Sequence, residues 1–249
     1  MKKFIILLVT IFTFTSCEEF LEEEVFTEFD PAVFLQDETG IDALLTAAYG
    51  SFQLTGFQAR DYTFILNEFS TDITWETGGG LNRLVVPIIG FTWDPSQGFF
   101  NSQYNKYYSA IAAANNVLSV TNTVTGVDED ALNRARGEAR FIRGFSYYLL
   151  HNLFGPTPII EIPAGATLDE IETIGKETPR ATEETYRAYV EADFLFAAEN
   201  LAYGGFSSRA NKGNAYALLT KFYLNNKEWN KAAEAAQMVL TPEAGYSLY

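Results

Sequence analysis

Cysteine and histidine are nearly missing: the 249 residues hold one of each, Cys17 and His151, beside 32 acidic and 17 basic side chains. A single thiol rules out an intramolecular disulfide. A single imidazole rules out an H-E-x-x-H zinc site, and no G-x-S-x-G elbow is present to hold a serine nucleophile. The triple glycine Gly78 to Gly80 is not followed by Lys-Ser or Lys-Thr, so it reads as a flexible loop and not as a phosphate cradle. Basic residues are scarce, and the formal charge of −15 argues against nucleic acid, whose phosphates are held by cationic side chains. After the N-terminal segment no apolar run approaches the roughly 18 residues that a membrane-spanning helix needs. The sequence points to no cofactor, to no metal site and away from an enzyme.

Aromatic residues, by contrast, are plentiful, with 21 Phe and 14 Tyr. Such a surplus either packs helices together or stacks on flat ligands. The apolar fraction of 47% is ample for a core, and the length suits one large domain or two small ones.

The lone cysteine has a specific setting. Lys2 and Lys3 precede an apolar stretch from Phe4 to Phe14, and Thr15-Ser16 supplies small residues before Cys17. That order is the layout of a secretory signal. As a helix the stretch would reach about 16 Å at roughly 1.5 Å per residue, half of a bilayer's hydrocarbon, so it cannot anchor the chain by spanning. Thr-Ser-Cys after it resembles a bacterial lipobox, which implies lipid attachment at Cys17. Two or three acyl chains there would make anchoring effectively permanent. Glu18, Glu19, Glu22, Glu23 and Glu24 follow as a self-repelling block suited to a solvated tether.

Helical spacing dominates what comes later. Tyr104, Tyr108, Ile111, Asn115 and Leu118 recur at threes and fours, and so do Leu132, Ala135, Ala139, Ile142, Ser146, Leu149 and Leu153 in a helix from about Glu129. Asp128 can cap that helix and Gly155-Pro156 can stop it. After a Thr182 cap, Tyr186, Val190, Phe194, Ala197 and Leu201 share one face. Two last helices, about Asn211 to Leu224 and Glu228 to Leu240, place Leu219, Tyr223, Trp229, Ala232, Ala236 and Pro242 at offsets resembling a tetratricopeptide unit, with Thr220 in place of the usual glycine. The expected architecture is mainly α, built of helix pairs.

Between residues 50 and 103 the spacing fails. Glycines, prolines and β-branched residues predict loops with a short hairpin, and Gly155 to Pro179 is similarly irregular. Long ordered loops in a compact domain tend to be functional. Trp75 and Trp93 lie in the first of these segments with Asp72, Asn82, Arg83 and Asn101 nearby. A sugar needs a flat apolar face for its C–H side and planar polar groups for its hydroxyls, and these residues offer both. Trp75 is expected as the platform and Trp93 as a core plug.

Other chemistry-bearing residues read as structural. His151 falls in the last turn of its helix, where it can oppose the helix dipole. The acid pairs Asp169 with Glu170 and Glu183 with Glu184 read as solvated acids and not as glycosidase carboxylates. Glu138, Arg140 and Arg143 fall within two turns of a helix that is otherwise buried, and buried charges need partners, so a structural ion-pair network is expected there.

Taken in order, "YNKYYSAIAAANNVL", "EARFIRGFSYYLLHNLFGPTPII", "PRATEETYRAYVEADFLFAAENL" and "SRANKGNAYALLTKFYLNNKEWNKAAEAAQMVL" resemble the consecutive N-terminal blocks of the SusD/RagB family. Glu138, Ala139, Arg140, Phe141, Arg143, Tyr147, Phe154, Gly155 and Pro158 match the most specific block, whereas Tyr104 replaces a usual tryptophan and Gly144 a common alanine. The resemblance implies tetratricopeptide-like helix pairs with long irregular ligand-binding loops. It also implies a non-enzymatic lipoprotein of the outer membrane in Bacteroidetes-type bacteria, which captures oligosaccharide for nutrient uptake and delivers it to a SusC-like TonB-dependent transporter. The acids after Cys17 resemble the signal that sends such lipoproteins to the cell surface. The expected divisions are a signal over 1–16, a lipidated tether over 17–30 and a helical-repeat domain over 31–249, with the family's C-terminal half missing. The competing readings are a helical-repeat scaffold for peptide or protein partners and, disfavoured by the near absence of histidine, a secreted hydrolase.

Overall fold

The computed structural model describes residues 35–52, 65–75, 82–163, 165–204 and 208–247. Cys17, the acidic tether and Gly78 to Gly80 lie outside them, as do the side chains of Asn82 and Arg83. Eight α-helices are found among the described residues: α1 Glu38–Phe52, α2 Asn82–Ile89, α3 Gly98–Thr123, α4 Glu129–Phe154, α5 Leu168–Glu177, α6 Glu183–Asn200, α7 Lys212–Asn225 and α8 Trp229–Val239. No strand is present among these residues; one isolated bridge joins Pro158 to Arg180. None of the described helices is long and apolar enough to cross a membrane.

The central helix is α4, and its ends follow from its sequence. The Asp128 carboxylate accepts hydrogen bonds from the backbone N–H groups of Asp130 and Ala131 at 3.0 and 3.2 Å, satisfying donors that the first turn leaves open. Gly155, at φ 70°, turns the chain out of the helix. Between them α4 packs against α3 on one side and α6 on the other, while α1 covers α3 and α4. Helix α7 packs on α6 and α8 on α7, with Leu219, Tyr223, Ala232 and Ala235 buried between the members of the last pair. The helix-pair architecture expected of the sequence is therefore present.

Apolar side chains gather in three clusters. The largest joins α4, α6, α7 and α8 around Tyr147, Phe194 and Leu219; a second joins α1, α3 and α4 around Leu45, Ala114 and Ile142. The third is a small satellite of Ile65, Leu66, Phe69, Val85, Ile88 and Phe99, and it sits under the segment that the sequence left irregular.

Three expectations are corrected. The run Asn82 to Ile89, expected as loop or hairpin, is α2: Val85 and Ile88, three residues apart, bury one face in the satellite cluster, and this packing overrides both β-branched propensity and Pro87. Helix α5 interrupts the second irregular segment, started by a capping box in which the Thr167 hydroxyl accepts from Glu170 N–H while the Glu170 carboxylate accepts from Thr167 N–H. Helix α3 begins at Gly98 and not at Tyr104, because Phe99 is drawn into the satellite cluster.

Candidate ligand-binding surface

Two ionic clusters brace the helical frame. Arg143 of α4 donates through Nε and Nη2 to the two carboxylate oxygens of Asp193 on α6, both at 2.8 Å, and through Nη1 to Asn115 Oδ1 on α3 at 2.9 Å. Asn115 in turn donates to the Ile160 carbonyl at 2.8 Å, so one buried guanidinium ties three helices to the 156–163 segment. Burial acts to neutralise Arg143, but the Asp193 carboxylate overcomes it and holds the guanidinium above its ordinary range. Gly144 lets α6 approach this closely: a Cβ there would lie 3.0 Å from Asp193 Cβ and 3.2 Å from the Phe194 ring. That is a packing reason for glycine where alanine is common in the resembled block.

Glu138 belongs to the other cluster. It lies 3.6 Å from Arg134 and 3.7 Å from Arg209, and Arg209 makes a bidentate pair with Asp42 of α1 at 2.6 and 3.0 Å. Burial pushes the Glu138 carboxyl above its ordinary value, with Tyr49, Arg209 and Arg134 pulling the other way. The single network expected of Glu138, Arg140 and Arg143 is thus two, and Arg140 makes no ion pair in either, acting on Asp193 only at longer range. Its guanidinium lies over the Phe196 ring, 4.1 Å from the centroid.

The loop region offers a different surface. After α2 the chain makes a tight turn with Phe91 at φ 51°, a conformation uncommon for a bulky residue. The turn sets the Phe91 ring 5.4 Å from Trp93, and Trp93 meets the edge of Phe100 at 6.1 Å. Asp94 accepts from Ser96 N–H at 2.8 Å and so shapes the turn into α3. Trp93, expected as a core plug, is 41% exposed. Phe99 takes the inward position at 3% exposure, and the neighbouring Phe100, displaced around the helix, leaves Trp93 resting on the outside. Trp75 is 73% exposed and Ile73 beside it 81%. Asp72 and Asn101 are also exposed, the latter in the first turn of α3. No hydrogen bond or ring contact among the described residues joins Trp75 to Trp93. The backbones of Asn82 and Arg83 open α2, and the 65–70 segment, α2 and the start of α3 meet in the satellite cluster.

A line of rings continues along α3. Tyr104 packs against Tyr108 at a tilt with centroids 4.8 Å apart and meets Phe154 edge-on at 5.4 Å, and the Tyr108 hydroxyl donates to the Pro158 carbonyl at 2.6 Å. These tyrosines wall a hollow of about 310 Å³ between α3, the 156–163 segment and α5. The sequence reading treated Tyr104, Tyr108 and Asn115 as packing positions. The one signal in the sequence is Asn115, a polar residue buried where a core helix would ordinarily be apolar.

The comparisons with known proteins agree with this architecture. The SusD-like family, described as starch-binding and associating with the outer membrane, matches residues 19–224. This chain belongs to the SusD-like family. SusD-like protein P2 of Formosa agariphila is 31% identical across 100% of this chain and 48% of its own. Among solved structures, a laminarin-binding SusD-like protein superposes with a TM-score of 0.72 at 25% identity, over 86% of this chain and 47% of that one. A SusD-like protein of Bacteroides fragilis superposes with a TM-score of 0.70 at 20% identity, over 89% of this chain and 40% of that one, a likeness of fold. The chain spans about half the length of the curated relatives it matches.

Three of the residues that could suggest hydrolysis have partners within the fold. His151 Nε2 meets the Glu183 carboxylate at 2.9 Å, and its ring stacks on Tyr186. Glu170 is spent in the capping box of α5.

Proposed function

We propose that this SusD-like chain captures oligosaccharide at the cell surface without cleaving it, using the exposed aromatic segment around Trp75, Phe91 and Trp93, and passes it to a SusC-like TonB-dependent transporter. The observation that carries the reading is the exposure of these rings, 73%, 66% and 41% for Trp75, Phe91 and Trp93. Sugar rings bind by laying C–H faces on such surfaces, and Asp72 and Asn101, exposed and close to these rings in sequence, are candidates for the sugar's hydroxyls. The family description names starch and one structural relative is laminarin-binding, so neutral glucans are the first ligands to test.

Attachment through lipid at Cys17, with the acidic residues after it facing the chain outward, completes the proposal. Affinity gels containing soluble starch or laminarin should retard the chain and release no reducing ends. Unretarded migration in both contradicts neutral glucan as the ligand, and new reducing ends contradict capture without cleavage. Cys17→Ala should move the protein from the membrane fraction to the soluble one, and replacing Glu18, Glu19, Glu22, Glu23 and Glu24 with alanine should leave it lipidated but less open to protease on whole cells. A SusC-like barrel expressed beside it should co-purify from gently solubilised membranes.

A further inference from the structure

Beyond the tyrosine-walled hollow along α3 lies a second one, of about 400 Å³, lined by Asn115 and Asn122 of α3, by Arg136, Arg140 and Arg143 of α4, and by Glu161. Three guanidinium groups around one cavity are notable in a chain this acidic, and two of them are already neutralised. Arg143 is held by Asp193 and Asn115. Arg136 donates to Glu129 at 2.6 Å, to Asn133 at 3.0 Å and to the Thr121 carbonyl. Arg140 has neither an ion pair nor a hydrogen bond and acts on Asp193 only at longer range; its Nε, like that of Arg136 at the same cavity, is buried without an acceptor. A buried donor left unmet is costly, so its persistence at a cavity wall needs a reason.

The surroundings of Arg140 suit an acid. The Phe196 ring, 4.1 Å away, supports the face of the guanidinium and leaves its donor edge for a carboxylate or sulfate. Glu161, the one carboxylate among the described lining residues, is exposed and forms no ion pair. The two hollows share Asn115 and Ile162 and therefore adjoin. A saccharide whose acid group met Arg140 would have the Tyr104 and Tyr108 side of the groove for its neighbouring ring.

We propose that the Arg140 cavity binds the acid group of a charged saccharide, a carboxylate or a sulfate ester. This deepens the glycan reading by naming a ligand class, at a place apart from the exposed tryptophans. The test is calorimetric titration of the full chain with oligogalacturonate, with a sulfated galactan oligosaccharide and with a neutral laminari-oligosaccharide. The first two distinguish carboxylate from sulfate. At least one should bind more tightly than the neutral chain and weaken with salt; Arg140→Gln should reduce that binding roughly ten- to a hundredfold and leave the neutral ligand unaffected. Glu161→Gln, which removes the competing carboxylate, should strengthen it, a gain that a misfolded variant would not show. Equal affinity for charged and neutral chains, or charged binding indifferent to Arg140→Gln, overturns the inference while the glycan reading stands. If no saccharide binds, the glycan reading falls, and the Arg140 Nε–Hε resonance decides the cavity by itself: it should move on titration with free glucuronate or inorganic sulfate, and no movement with either overturns the inference.

Discussion

The α3–α4–α6 frame and the segment from Ile65 to Phe100 put the same kinds of residue to opposite uses. In the frame, aromatic rings are enclosed, as Tyr147, Tyr186 and Phe194 are, and charges are paired across helices, as Arg143 is with Asp193. In the segment, the rings of Trp75, Phe91 and Trp93 face solvent, and the segment's own apolar cluster is small. A buried ring contributes to stability by leaving water. An exposed ring contributes little to the fold and keeps its face for a ligand. The contrast separates residues whose loss should cost stability from those whose loss should cost binding.

The largest effect belongs to the frame. Asp193→Ala strands a buried guanidinium and should lower unfolding free energy by about 3 to 5 kcal/mol, as breaking one side of a buried ion pair does. Adding Arg143→Met should restore part of it, because the uncompensated charge is gone. Chemical denaturation of both variants checks this; a double variant no more stable than the single would show that packing, and not charge, is what Asp193 supplies. A smaller effect is expected at the start of α6, where the Thr182 hydroxyl accepts from Thr185 N–H at 3.2 Å. Thr182→Ala should cost about 1 kcal/mol by the same measurement, as losing a helix cap typically does.

The smallest effect is one of pH. Burial raises the Glu138 carboxyl above its ordinary 4.5, so the folded chain holds this proton more tightly than the unfolded one. The contribution is full below the unfolded value and is lost as pH rises through the higher folded value. Glu138→Gln should therefore flatten the fall in melting temperature between pH 4.5, the ordinary value, and neutrality. An unchanged slope would assign the fall to other groups, of which Asp193, also raised by burial, is the first to test.

Much of the frame was legible because its signals are local. The threes-and-fours spacing of α4, the acid at Asp128 and the glycine at Gly155 state a helix and its ends without reference to anything distant. Helix α2 was hidden for the converse reason: its two valines, proline and two isoleucines read as strand or loop, and only contact with Phe69 and Phe99 makes them helical. Helix α1, which no spacing argument predicts, is likewise held by packing on α3 and α4. The partner of Arg143 lies 50 residues away, yet it had a signal, since Asp193 is an acid on the stripe of Val190, Phe194 and Ala197. At the candidate surface, the exposure of Trp75 agrees with the platform role proposed for it, whereas that of Trp93 depended on which of Phe99 and Phe100 turned inward. Spacing alone does not decide that.

The central claim is that the outer rings serve binding and the frame serves folding. Calorimetric binding of the neutral glucan found in the affinity gels, measured beside thermal unfolding for Trp75→Ala, tests it most directly. The account predicts a binding loss of about 1.5 to 3 kcal/mol, roughly ten- to a hundredfold, from lost stacking and apolar contact. It also predicts a melting temperature unchanged, because a surface ring at 73% exposure supports little of the fold. Binding that survives, or a melting temperature that falls as it would for a core tryptophan, contradicts it.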